Sequence, residues 1–214
     1  MIKTLRYKQK IDYDQKTIKH MKDCKNILDL GCGEGRFISQ SPLKIIGLDQ
    51  SDKSLNVCKS KGYHVIKGKV TELPFPNDCF EGIHSAHVIE HLEIPDAYLF
   101  LKEINRVLKP GGILSIRSPL LHPGFYMDFT HVKPYHPIAI MHYLRLELGK
   151  QRTMNDFSGF YKMLYLEYRI KKIFKENLGI LNIFTIPFNY LYRIIKGYNQ
   201  KTGYILIMKK GLNL

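Results

Sequence analysis

One segment constrains the fold more than any other: Ile27-Leu-Asp29-Leu-Gly31-Cys-Gly33-Glu-Gly35-Arg-Phe37. A short, largely apolar run, Ile27–Leu30, breaks at once into three closely spaced glycines. That pattern is a buried strand entering a tight turn. Glycines at such a turn let backbone approach a ligand where a Cβ would collide, and a following helix N-terminus adds N–H donors for an anionic group. The chain then alternates. Lys44–Leu48 reads as a second strand ending at Asp49, and Ser51 offers an N-cap for a helix to about Lys59. His64–Lys67 and Phe80–Ala86 read as the third and fourth strands. A helix is expected from about Pro95, with Leu99, Ile104, Val107 and Leu108 as its apolar stripe. Pro110-Gly111-Gly112 should stop it, and Ile113–Arg117 supplies a fifth strand. Strands alternating with helices predict right-handed crossovers and a mainly parallel sheet with helices on both faces, an α/β, Rossmann-like architecture.

The glycine spacing narrows the ligand. A dinucleotide fingerprint reads G-x-G-x-x-G, whereas here the third glycine comes one residue early. Asp29 stands two residues before the first glycine, where a carboxylate can pair with the ammonium of an amino acid. Asp49 closes the next strand, where an acid accepts ribose hydroxyls. An amino acid joined to a nucleoside is S-adenosylmethionine.

The stretches ILDLGCGEGRF, IIGLDQS, ELPFPNDCFEGIHSAHVIEHL and EINRVLKPGGILSI resemble, in order, the motifs of class I S-adenosylmethionine-dependent methyltransferases over residues 25–118. The resemblance implies a seven-stranded sheet of order 3-2-1-4-5-7-6 with the last strand antiparallel; strands at 164–174 and 204–208 would be the sixth and seventh. It implies that Asp29, Gly31, Gly33 and Gly35 embrace the methionine part, that Asp49 binds the ribose with Gln50 and Ser51 near the adenine, and that Ser85 and Ala86 face the methyl-transfer site. There are two departures. Lys69 replaces the acid that often contacts the adenine amino group, leaving Val70 backbone or Thr71 to substitute. Only seven residues separate Phe37 from Ile45, so the first helix is about a turn short.

Residues 1–26 read as a basic helical lead-in, with Ile11, Ile18 and Met21 near helical spacing, and residues 27–214 as a single domain. The net charge of +14 lies entirely on the flanks: residues 27–149 hold thirteen basic and thirteen acidic side chains. A basic surface of this kind suits an anionic partner, whether a phosphorylated acceptor, a membrane face or nucleic acid, or simply keeps the protein in solution. The four cysteines have no knuckle or CxxC spacing, which predicts reduced thiols in a cytoplasmic protein and no metal site. Residues 178–196 form an apolar insertion with three readings: a lid, a dimer contact, or a peripheral membrane contact.

Six histidines (His84, His87, His91, His122, His131 and His136) crowd the acceptor side. His87 is the nearest to the expected methyl site, and His87 and His131 are the candidates for proton transfer. After the fifth strand, residues 118–137 are rich in Pro and aromatics and too irregular for a helix, as substrate loops at the C-terminal edge of a parallel sheet often are. Within it, DFTHVKPY resembles a segment of bacterial methyltransferases, some of them associated with surface-glycan synthesis. Asp128, His131, Lys133 and Tyr135 are the candidate acceptor residues. Asp128 and His131 have an equally good reading as caps that hold the loop.

The expected activity is methyl transfer to a small-molecule, lipid-linked or glycan acceptor, most simply at a hydroxyl. Two alternatives stand beside it. An RNA methyltransferase would explain the basic flanks, but no RNA-binding module and no Asn-Pro-Pro-Tyr type motif is present. A non-catalytic cofactor-binding protein would keep the same fold.

Overall fold

The computed structural model describes residues 12–144, 161–173 and 198–212. Seven strands, β1 (Ile27–Leu30), β2 (Ile45–Asp49), β3 (Val65–Lys67), β4 (Phe80–Ala86), β5 (Leu108–Pro119), β6 (Tyr161–Ile173) and β7 (Tyr198–Lys210), form one sheet in the order 3-2-1-4-5-7-6. Strands β1 to β5 pair in parallel, and β7 runs antiparallel to both β5 and β6. The expected fold class and strand order are therefore present. So is the shortened first helix, which is a single 3-10 turn at Ile38–Gln40.

Alternation along the strands divides the core between the two faces of the sheet. Leu28, Leu30, Ile83, Leu114, Ile116, Leu206 and Met208 pack on the side of α3 (Ile94–Val107). Ile27, Ile45, Ile113, Ile205 and Ile207 pack on the other side, with Phe37, Ile38 and Leu55 of α2 (Asp52–Ser60). Helix α1 (Tyr13–His20) lies on this second side. Asp12 caps it by accepting from the Asp14 and Gln15 amides, and its Thr17 hydroxyl meets that of Ser115 at 3.0 Å. Ile11 lies outside the described residues.

The structure departs from the expected α3 stripe and from its expected end. Helix α3 buries Ala97, Phe100, Leu101, Ile104 and Val107, whereas Leu99 is 41% exposed and Leu108 belongs to β5. The helix thus ends before Pro110-Gly111-Gly112, and these residues are absorbed by an irregularity where β5 pairing jumps from Phe80↔Leu108 to Gly82↔Ile113. A short helix not foreseen, α4 (Pro137–Leu144), follows the irregular loop after β5 and buries Ile140 and Leu144. The apolar insertion at 178–196 lies outside the described residues. No helix among the described residues is long and apolar enough to cross a membrane.

Candidate active site

In an open parallel sheet, ligands bind beyond the strand carboxyl ends where the strand order reverses. Here that reversal lies between β1 and β4, and a cavity of about 520 Å³ opens there. Every strand end around it contributes: Gly31 after β1, Asp49 and Gln50 at the end of β2, Gly68–Thr71 after β3, and His87 and Val88 after β4. Its size falls within the roughly 300–1,000 Å³ of small-molecule sites.

Backbone geometry explains the glycines. Gly31 has a φ of +69°, and a Cβ there would strike the Val88 side chain. Gly33 has a φ of +52°, yet a Cβ would meet nothing within 4 Å. Its requirement is conformational, and it does not itself border the cavity. Asp49 Oδ2 accepts from the Gly33 amide at 2.9 Å and Oδ1 from the Ser51 amide at 2.9 Å. Each oxygen keeps a lone pair, so the fixed carboxylate can still accept two ribose hydroxyls. With Lys69 in the expected acid's place, Lys69, Val70 and Thr71 all border the cavity, so backbone and a hydroxyl are available to an adenine edge. The set fits S-adenosylmethionine, whose sulfonium supplies an activated methyl group when bound.

Other expected cofactor residues lie outside that wall. Asp29 is 3% exposed and accepts from His84 Nδ1 at 2.7 Å, directly across the β1–β4 pairing. His84 stacks on Phe37 with ring centroids 3.7 Å apart. It is therefore an interior residue, not one of an acceptor-side cluster. Ser85 is buried with its hydroxyl on Leu30 O. Gly35, with a φ of +80°, packs against Tyr63.

His87 occupies an unusual position. Its φ is +59°, a conformation that costs a non-glycine residue on the order of 1–3 kcal/mol and tends to persist where function needs it. Its Nδ1 lies 2.9 Å from Glu90 Oε1, and Glu90, fully buried, also accepts from Ser118 Oγ at 3.1 Å. Nδ1 on the carboxyl directs the imidazole and leaves Nε2 for a ligand proton. The turn at Ile89–His91 brings Glu90 under His87.

The irregular loop after β5 is tied to this turn. The Val132 and Lys133 amides donate to Glu90 O, and the His91 and His131 rings lie 4.9 Å apart. His131 Nδ1 is 2.7 Å from Phe125 O, and His91 Nδ1 is 3.0 Å from Thr130 O. Glu90, His91 and His131 bring ligand atoms within 4.8 Å of one another, a proximity that sequence spacing could not show; each of these residues is hydrogen-bonded within the protein. Asp128 is exposed and accepts from the Thr130 amide and hydroxyl, which hold its carboxyl below the usual range. Tyr135 donates to Leu92 O at 3.0 Å, and Lys133 Nζ lies 5.8 Å from the Tyr135 ring. None of Asp128, His131, Lys133 and Tyr135 borders the cavity, whereas His87 and His91 do.

Residues 28–116 match the methyltransferase domain family. The chain is 31% identical to the demethylmenaquinone methyltransferase of Lactococcus lactis subsp. lactis, over 71% of this chain and 68% of that protein. It is 33% identical to the chloroplastic 2-methyl-6-phytyl-1,4-hydroquinone methyltransferase 1 of Oryza sativa subsp. japonica, over 48% of this chain and only 33% of that protein. Among solved structures it resembles a SAM-dependent methyltransferase from Archaeoglobus fulgidus, with a TM-score of 0.62 and 25% identity over 91% of this chain and 90% of that one. The chain belongs to the class I S-adenosylmethionine-dependent methyltransferases.

Proposed function

We propose that this methyltransferase transfers the methyl group to a hydroxyl of a small-molecule acceptor, with His87 as general base. The observation that carries this reading is the His87–Glu90 pair: an imidazole bordering the cofactor crevice, oriented by a fully buried carboxyl. With S-adenosylmethionine held by the glycine turn and Asp49, its sulfonium would supply the methyl group to the acceptor oxygen and leave as the neutral thioether, while His87 Nε2 would take the hydroxyl proton. Positioning and exclusion of water supply most of the remaining catalysis.

Two further observations support a small, partly apolar acceptor. Relatives named for methylation of demethylmenaquinone and of a phytyl hydroquinone act on such molecules. The acceptor loop also presents Tyr126, Met127 and Phe129 to solvent, the last fully exposed. Within this reading the acceptor class is a small-molecule, lipid-linked or glycan hydroxyl.

The test is methyl incorporation from labelled S-adenosylmethionine into a panel of phenolic, lipid-linked and sugar hydroxyls, with matched acceptors methylated at carbon. The reading expects O-methyl products that His87→Gln abolishes. Methylation at carbon only, or O-methylation indifferent to His87→Gln, contradicts it.

A further inference from the structure

A second recess, about 60 Å³, shares His87 with the cofactor crevice. It lies where β5 ends and β7 passes, and Tyr13 of α1 and Arg169 of β6 close it. Its volume accommodates a small chemical group rather than a whole ligand. Two buried donors on its wall, Tyr13 Oη and Arg117 Nε, complete no hydrogen bond, and the Tyr204 hydroxyl beside them has only Ser118 within reach. A buried donor left unpaired costs about 1–3 kcal/mol, so the two together mark a place suited to an acceptor group.

The charges point the same way. Arg117 Nη1 is held at 3.0 Å by Asp14, but Asp14 is shared with Arg36, so one carboxylate faces two guanidiniums. Arg169 donates to Thr202 Oγ1 and Thr202 O, both uncharged, and makes no ion pair among the described residues. Two further acids are already hydrogen-bonded: Glu90 with His87 and Ser118 of the recess wall, Glu167 with Lys16 and Tyr165. Gly203 keeps room for the guanidinium, since a Cβ there would stand 3.2 Å from Arg169 Nη2.

We infer that this recess binds an oxyanion group of the methyl acceptor, a carboxylate or phosphate, between Arg117 and Arg169. An acceptor anchored there by its oxyanion brings its neighbouring hydroxyl to His87, the wall between the two cavities. The inference rests on the reading of the adjoining crevice as the methyl-donor site.

The experiment uses the full chain, saturated with S-adenosylhomocysteine and titrated with inorganic phosphate and with acetate by calorimetry. The wild type is expected to bind phosphate in the millimolar range. Arg169→Met should weaken phosphate about tenfold and Tyr13→Phe about threefold, in line with a lost charged and a lost single hydrogen bond. Lys53→Met, on the exposed face of α2, should change nothing. Absence of binding by the wild type, equal binding by both recess variants, or equal weakening by Lys53→Met overturns the inference. If Arg169→Met does not fold, Tyr13→Phe decides. A protein that takes up S-adenosylhomocysteine but ignores phosphate loses only the recess; one that refuses S-adenosylhomocysteine loses the underlying reading as well.

Discussion

His87 Nδ1 lies 2.9 Å from Glu90 Oε1, and the histidine's backbone is held at a φ of +59° to make that contact. A side chain fixed this way from two directions is suited to a proton-transfer role. His87→Gln is expected to lower kcat by about 10²–10⁴-fold, the usual contribution of a general base, with little change in cofactor affinity. Glu90→Gln should give a smaller loss, because the imidazole survives but its orientation loosens. Steady-state kinetics beside cofactor titration separate the two effects.

The glycine turn makes a paired prediction. Gly31→Ala combines a disfavoured φ with a collision against Val88, and should cost both stability and cofactor affinity. Gly33→Ala meets no atom within 4 Å. Its stability cost should be limited to the conformational term, about 1–2 kcal/mol, and its effect on cofactor affinity should be smaller than that of Gly31→Ala, since Gly31 borders the cavity. Urea unfolding and calorimetry distinguish the patterns; equal stability losses for the two would contradict this account.

Arg106 locks the loop that carries Val70 and Thr71. Its guanidinium donates to Leu73 O, Phe75 O, Asn77 Oδ1 and Glu103, and Glu103 in turn accepts from the Leu73 amide. Arg106→Met should destabilise the fold by about 1–3 kcal/mol and raise the KM for S-adenosylmethionine more than it lowers kcat, since Val70 and Thr71 border the crevice. A change confined to kcat would contradict this placement.

Much of the cofactor half was legible because it obeys local rules. Gly31 and Gly33 need left-handed backbone, Asp49 ends a strand, and Ser51 caps a helix, accepting from the Ser54 amide. The stripe of α3 was misplaced by one residue at Leu99 because Phe100 and Leu101 are adjacent and equally apolar, and only packing decides which faces the sheet. The recess was not legible. Tyr13, Arg117, Arg169 and Tyr204 come from four elements that meet only through the antiparallel insertion of β7 between β5 and β6. One hint was available: Arg117 is a charged residue at the end of a buried strand, where charge needs a partner.

Burial makes the fold sensitive to alkali. It pushes the Cys24 thiol up to about 11, and raises the Cys32 thiol and the Tyr161 and Tyr204 phenols as well. These groups hold their protons more tightly folded than unfolded. The Cys24 contribution is complete below the unfolded thiol value of 9.0 and is lost as pH rises through 9 to about 11, and those of the other three groups are lost at higher pH. The urea midpoint should therefore fall between pH 8 and pH 10.5, and Cys24 should resist alkylation at pH 8. A flat profile, or rapid alkylation of Cys24 in the folded protein, would contradict the assigned burial.

Calorimetric titration of the wild type and of Asp49→Ala with S-adenosylhomocysteine tests the crevice most directly. The expected result is one molecule bound per chain, with affinity at least about tenfold weaker in Asp49→Ala, as the loss of hydrogen bonds to a charged group requires. No binding by the wild type, or undiminished binding by Asp49→Ala, would contradict it.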